Sequence, residues 1–418
     1  MECKGISLCL EANIKTILRF RWVSCQLDAL QHCFPSSVKR TLEELPETLD
    51  GTYERVLREI VKPNQGHAHR LLQCLVAAVR PLQVNELAEV LAIDFDADGI
   101  PKLNPDWQLK DQEQAVMSAC SSLVTIVKDG DSHVVQFSHS SVKEFLMAKR
   151  LTGFHRDISR YHIQLTAAHT ILAQACLGVL LQLDDGIDRD KIKNFPLAPY
   201  AAEHWVTHAR VEDVSLAIKD AMECLFDADK PHFATWLWIY DSRDGRSMST
   251  SSPEKPSAVP LYYAAMLGFR DLAEHLIASH PEHVNARTRG GHESTPMHIA
   301  AIEGHADMLS LLLENGADLE GLDKYIMTPL HRASWQGTLE AVRCLLDHGA
   351  NIEARDDEGW TPLHCAAKEM NRIQVVRFLL ERGADVNARD NTGMTPSQHA
   401  VDQEVVELLS KYGTKSVE

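Results

Sequence analysis

From Phe20 the apolar positions fall at helical spacing (Phe20, Val23, Leu27, Leu30), until Cys33-Phe34-Pro35-Ser36-Ser37 stops the run and offers an N-cap. The next helix passes through Val38, Leu42 and Leu45 and breaks at Pro46. A third, about Leu49 to Val61, ends before Pro63. Residues 19–66 thus read as helical hairpins, behind a lead-in of residues 1–18 that shows no clear pattern.

Residues 67–152 mix two periods. His67–Val79 predicts an amphipathic helix through Leu71, Leu72, Leu75, Val76 and Val79. Arg80-Pro81-Leu82 turns the chain, Asn85 offers a cap for Glu86–Leu91, and a third helix is expected from Asp111 to Cys120. Leu123–Val127 and Val134–Phe137 then read as short strands, joined through Asp129-Gly130 as a hairpin. Ser138–Lys149 returns to helix. Three helices and a hairpin are the order of a winged-helix-like domain. Residues 153–240 read as a second helical segment, with Ile163–Leu183, Tyr200–His208 and Val214–Phe226 as helices and Trp205, Trp236 and Trp238 as core aromatics. Residues 241–257 hold six serines, two prolines and a glycine, the composition of a solvated linker.

The pattern beyond the linker repeats. Thr295-Pro296-Met297-His298, Thr328-Pro329-Leu330-His331 and Thr361-Pro362-Leu363-His364 recur every 33 residues (329 − 296 and 362 − 329). Each is followed by small residues, by a second apolar run (Met308–Leu313, Val342–Leu346, Val375–Leu380) and by Gly-Ala at 316, 349 and 383. The proline suits a first helical turn and the glycine a left-handed helix exit. A tetrapeptide of this kind at this period is the ankyrin signature. Val259-Pro260-Leu261 upstream and Thr395-Pro396-Ser397 downstream open degenerate copies, as the ends of a stack require. Residues 258–413 therefore predict a C-terminal ankyrin-repeat solenoid of about five units, followed by a tail at 414–418. The whole reads as a mostly α chain: helical segment, winged-helix-like domain, second helical segment, ankyrin solenoid.

Length and charge narrow the function classes. At 418 residues the chain exceeds one core. A net charge of −17 argues against nucleic-acid or anionic-membrane partners. No Lys or Arg lies between Asp111 and Val127, so the third helix of the winged-helix-like domain lacks the cations a DNA-reading helix needs. The ten cysteines stand singly with no C-x-x-C spacing and read as free thiols in a reducing compartment. No apolar stretch is long enough for a membrane span, and Glu11 and Lys15 break the run Ile6–Leu10, so a cytoplasmic chain is expected.

Segments before the repeats carry a resemblance. Phe20-Arg21-Trp22-Val23-Ser24-Cys25-Gln26-Leu27-Asp28, Leu45-Pro46-Glu47-Thr48-Leu49-Asp50 and Tyr53-Glu54-Arg55 resemble the region just after the NACHT nucleotide-binding core of fungal NLR-like (STAND) proteins. Ala68-His69-Arg70-Leu71-Leu72, Arg80-Pro81-Leu82 and Glu86-Leu87-Ala88 resemble the winged helix that follows it, and Phe137-Ser138-His139-Ser140-Ser141-Val142-Lys143-Glu144-Phe145-Leu146 its closing motif. The likeness covers residues 20–418 and implies a regulatory and sensor part of a signalling, non-self-recognition protein. The family carries a P-loop upstream; no G-x-x-x-x-G-K-[ST] occurs here, so no residue is assigned to nucleotide switching. The divergent first 18 or so residues are expected to mark a truncated product or gene model.

Candidate chemistry is sparse. His139, between Ser138 and Ser140, lacks a G-x-S-x-G elbow and reads as a cap at a strand-to-helix junction. His298, His331 and His364 recur once per repeat, as a structural hydrogen bond between units would. Asp94, Asp96 and Asp98 lack the closing Glu of a calcium loop. No catalytic, cofactor or metal residue is assigned. What remains is surface. The repeat period places Met266, Leu267, Ile302, Tyr325, Met327, Trp335, Gln336, Glu358, Trp360, Lys368, Glu369 and Met394 at turn tips and inner-helix ends, the concave face by which ankyrin stacks bind proteins. Trp335 and Trp360 are expected to be exposed in one groove, with Arg332 and Lys368 near, and Leu346 to sit in the core. Non-catalytic protein recognition follows, with association with a NACHT-containing partner. A plain ankyrin adaptor, or a regulator acting in trans on an intact NTPase, are the alternatives.

Overall fold

The computed structural model describes residues 48–95, 100–130, 132–243, 252–253 and 255–415. The lead-in, the helices expected between Phe20 and Leu45, Asp96 and Asp98, and most of the 241–257 linker lie outside the described residues. The chain forms two compact units: one gathers residues up to Val179 with Ile192–Ile218, the other Leu180–Lys191 with Lys219 onward. The second helical segment predicted over 153–240 is thus not a unit of its own. Its buried apolar side chains are shared between the two cores.

In the first unit α1 (Leu49–Glu59) starts where Thr48 Oγ1 accepts the Gly51 N–H at 3.1 Å, and buries Tyr53, Val56 and Leu57. The winged helix follows with α2 (Gln65–Ala77), β1 (Leu82–Gln83), α3 (Val84–Val90), α4 (Gln112–Cys120), β4 (Val124–Asp129) and β5 (Ser132–Phe137). A two-stranded pair, β2 (Ile93–Asp94) with β3 (Lys102–Leu103), was not foreseen. The antiparallel sheet runs β1-β5-β4, with Val124 opposite Phe137 and Asp129 opposite Ser132. Gly130 turns the hairpin at φ 58°, a conformation side-chain-bearing residues resist. Asn85 lies inside α3, which starts one residue before it. The cap is instead built from Gln83, whose N–H donates to Glu86 Oε2 at 2.8 Å. The remaining helices of this unit are α5 (Ser140–Met147), α6 (Arg156–Ser159), α7 (Leu165–Leu180), α8 (Ala198–Ala209) and α9 (Val214–Ala217).

The second unit opens with α10 (Lys219–Leu225) and α11 (His232–Arg243), followed by helix pairs. These are α12 (Pro260–Leu267) with α13 (Arg270–Ser279), α14 (Pro296–Glu303) with α15 (Ala306–Glu314), α16 (Pro329–Gln336) with α17 (Leu339–Asp347), α18 (Pro362–Lys368) with α19 (Ile373–Glu381), and α20 (Pro396–His399) with α21 (Gln403–Lys415). Five pairs fit the expected five units. The core is continuous because each pair buries its apolar face on the next: Leu309, Leu312, Val342, Leu345, Val376 and Leu379 are fully buried. Leu345, not Leu346, is the core position of α17; Leu346 is half-buried, because the helix turns it past the seam between neighbours. Gly337 ends α16 at φ 84°, and a side chain there would collide with Arg372 of the next unit. The third copy departs from this. Asn371, at φ 61°, takes the left-handed position one residue late, and Pro396 falls 34 rather than 33 residues after Pro362 (396 − 362). No helix among the described residues is long and apolar enough to cross a membrane.

Candidate functional site

Three turn tips of the stack are each held by one buried aspartate. Asp323 Oδ1 accepts the N–H groups of Tyr325 (2.8 Å) and Met327 (3.1 Å). Asp356 does the same for Glu358 (3.0 Å) and Trp360 (2.8 Å), and Asp390 for Thr392 (2.8 Å) and Met394 (2.9 Å). The tetrapeptide locks each tip to the helix before it. His298 Nε2 donates to the Met327 carbonyl at 3.0 Å, His331 Nε2 to that of Trp360 at 3.0 Å, and His364 Nε2 to that of Met394 at 3.3 Å. Nδ1 of each ring accepts from its own threonine hydroxyl, at 2.8 to 2.9 Å. The recurring histidines are therefore the inter-unit hydrogen bonds expected of them. Burial lowers the pKa of all three, that of His331 to about 4, so they stay neutral and Nδ1 remains an acceptor.

On this frame the predicted face divides into an open and a closed part. Tyr325, Trp335, Gln336, Glu358, Lys368 and Met394 are exposed; Met266, Leu267, Ile302 and Glu369 are half-buried. Met327 and Trp360 are not exposed: they form a buried cluster with Cys365, wedged between units. Trp360 keeps only 7% of its surface and Trp335 36%. The two rings do meet, 6.2 Å apart and nearly parallel, but Trp335 is the outer plate and Trp360 the inner one. His399 covers Trp360 at 4.8 Å, and Lys368 Nζ sits 5.4 Å above its ring. The physical reason is that the next unit contributes a lid, His399, that no reading of one repeat contains.

A second cluster surrounds Tyr325. His292 lies 5.4 Å from its ring, and the Arg332 guanidinium 5.6 Å. Arg332 also donates from Nε to Asp323 Oδ2 at 2.7 Å, which ties it to the turn tip. Met370, 65% exposed, was missed. It belongs to the one-residue insertion before Asn371, and the lengthened spacing from Pro362 to Pro396 was the available signal.

Residues 261–356 match the ankyrin-repeat family model in three copies, and residues 358–391 the single-repeat model. The C-terminal array is an ankyrin-repeat stack. Residues 56–156 match the winged helix domain of GPI inositol-deacylase. The chain is 33% identical over 296 residues to azaphilone pigments biosynthesis cluster protein L of Monascus ruber, an alignment covering 66% of this chain and 61% of that protein. Over 60 residues it is 40% identical to alpha-latrocrustotoxin-Lt1a of Latrodectus tredecimguttatus, which is 14% of this chain and 4% of the toxin. Ankyrin stacks present extended surfaces for protein ligands, and the repeats of this chain imply protein binding.

The winged helix spends its motifs on structure. Arg80 grips Glu86 with both guanidinium arms, at 2.8 and 2.6 Å, and Glu86 is buried. His139 caps α5 by accepting the Ser141 N–H at Nδ1 (3.0 Å), and Tyr53 reaches the Ser141 hydroxyl at 2.8 Å. Among the described residues, Tyr53, Arg80, Glu86, His139 and Ser141, which lie in strings that carried the NACHT-associated resemblance, hold α1, α3 and α5 in place.

Proposed function

We propose that the chain is a non-catalytic, cytoplasmic protein-recognition part of an NLR-like signalling protein, and that its ligand docks on the open face of the ankyrin stack. The observation that carries this reading is Trp335: an aromatic left 36% exposed at an inner-helix end and supported from below by Trp360, on a stack that also leaves Tyr325, Met394 and Met370 exposed. A monomer with no ligand gains nothing from leaving that surface in water. The winged helix acts as a protein-packing element, since the exposed side of α4 shows Glu113, Gln114, Met117 and Ser118 and no cation. The likeness to the Monascus ruber protein supports a fungal setting and leaves the pathway open. Association with a NACHT-containing partner rests on the resemblance of residues 20–146.

The test is capture of binding proteins by the full chain and by its Trp335→Ala and Met370→Ala variants, all folded by circular dichroism. Loss of the same specific partner from both variants is the expected result; unchanged capture would sink the assignment. Calorimetry with ATP and GTP addresses the non-catalytic part. No tight binding is expected, for want of the phosphate cradle and its lysine, and micromolar binding would overturn it.

A further inference from the structure

The turn that closes the first ankyrin unit reads His280-Pro281-Glu282-His283. Helix α13 ends at Ser279, with the His280 N–H donating to the Leu276 carbonyl at 2.8 Å. Pro281 fixes the next φ, and a single 3-10 turn closes as the His283 N–H donates to the His280 carbonyl at 3.0 Å. The turn is anchored on both sides: Val284 is buried, and Asn285 bonds the Gly316 carbonyl and the Asp318 N–H, both at 2.9 Å. Three side chains converge on this rigid base. His280 Nδ1 is 3.3 Å from Glu282 Oε1, and His283 Nε2 is 3.9 Å from the same oxygen. The two imidazoles lie 4.9 Å apart. Among the described residues this is the cluster whose donor atoms, one per residue, all lie within 4.8 Å of one another.

We propose that this turn binds a divalent transition-metal ion of the zinc class through both imidazoles and the Glu282 carboxylate. Donors held about 2.0 to 2.2 Å from a tetrahedral ion stand roughly 3.3 Å apart, so closing the cluster takes small movements of the exposed Glu282 and the two half-buried imidazoles. Two nitrogens and one oxygen select zinc, copper or nickel over magnesium and calcium, which prefer all-oxygen sites. The fourth position belongs to water. His283 Nδ1 is buried without a hydrogen-bond partner, so no group steadies that ring from behind and the affinity is moderate rather than that of a closed structural site. The ion staples the exit of α13 to the turn that leads into the second ankyrin repeat. It thereby stabilises the N-terminal end of the stack by mass action.

The probes are zinc chloride and cobalt chloride, titrated into the EDTA-treated full chain. The expected result is a zinc-dependent rise in melting temperature and a cobalt d–d spectrum without thiolate charge-transfer bands, which the ten cysteines would otherwise supply. His280→Ala and His283→Ala abolish both signals. Glu282→Gln, at a side chain 67% exposed, folds normally and weakens cobalt binding by roughly tenfold or more. His275→Ala, on α13 but outside the cluster, leaves them unchanged. Thiolate bands, no binding by the wild-type chain, or equal binding by the His280, His283 and Glu282 variants each overturn the proposal.

Discussion

Trp335 and Trp360 show how far one residue's environment departs from its place in a repeat. Both occupy positions that face the same groove, yet Trp360 is sealed between Met327, Cys365 and His399 while Trp335 lies across its outer side. Trp360→Ala therefore opens a cavity between units and is expected to cost about 3 to 5 kcal/mol in chemical denaturation. Trp335→Ala should stay within roughly 0.5 to 1 kcal/mol and act on ligand capture instead. If the two variants lose equal stability, the outer-plate description of Trp335 fails. Leu345 and Leu346 make the same contrast inside one helix. Leu345→Ala is expected to cost about 2 to 5 kcal/mol, and the half-buried Leu346→Ala clearly less. Sequence period locates a residue within its own unit to about one position. It does not reveal the side chain that a neighbouring unit lays over it, so Tyr325 and Trp335 were legible as surface while Met327 and Trp360 were not.

At the scale of elements, the tetrapeptide explains itself fully. Threonine caps, proline opens the helix, and histidine bonds forward to the next turn tip, so three residues join two units. Because the ring must be neutral to accept from the threonine, the stack is sensitive to acid. Burial holds His331 at about 4, against the ordinary 6.5 that the unfolded chain would show. Between those values the unfolded chain binds more protons than the folded one, so stability is complete above pH 6.5 and is lost as pH falls toward 4. His298 and His364 move in the same direction. Denaturation midpoints measured at pH 7.5, 6 and 5 should fall in that order. His331→Gln should remove on the order of 3 kcal/mol from the total fall in stability between pH 6.5 and 4, while lowering stability at neutral pH. The winged helix depends on a comparable element-scale bond. Glu86→Ala leaves the Arg80 guanidinium without its partner and is expected to cost about 3 to 5 kcal/mol; the doubly substituted Arg80→Met, Glu86→Leu chain should recover much of it. Both motifs were visible as residue strings. The histidine bond between units was expected from its recurrence; the Arg80–Glu86 bond was not, because the two residues meet only after Pro81 turns the chain and α3 begins.

For the whole molecule, the repeat was legible because the sequence restates one solution at 33-residue intervals, and the winged helix because its helices and strands differ in period. The division of 153–240 was not, since helical period carries no information about which core a helix joins. The ankyrin stack begins before its first recognisable repeat. Helices α10 and α11, with Phe226 just after α10, form an aromatic cluster in which Phe226, Phe233 and Trp236 lie 5.2 to 5.8 Å apart, and Phe233 meets Tyr263 of the first ankyrin repeat edge-on at 5.3 Å. Helix α10 also packs on α13. These helices do for the first repeat what a terminal cap does for any solenoid: they cover an apolar side that has no preceding unit. A fragment of residues 258–418, cut where the repeat pattern starts, exposes Tyr263 and the α13 face that α10 covers. A fragment of residues 219–418 keeps both covered. Restoring a few large apolar side chains to a buried setting contributes on the order of 4 kcal/mol, so the longer fragment should melt on the order of 10 °C higher and stay monomeric where the shorter one associates. Thermal melts by circular dichroism with light scattering decide it. Equal melting temperatures would mean that the stack is self-sufficient from Pro260, and that α10 and α11 are passengers on it.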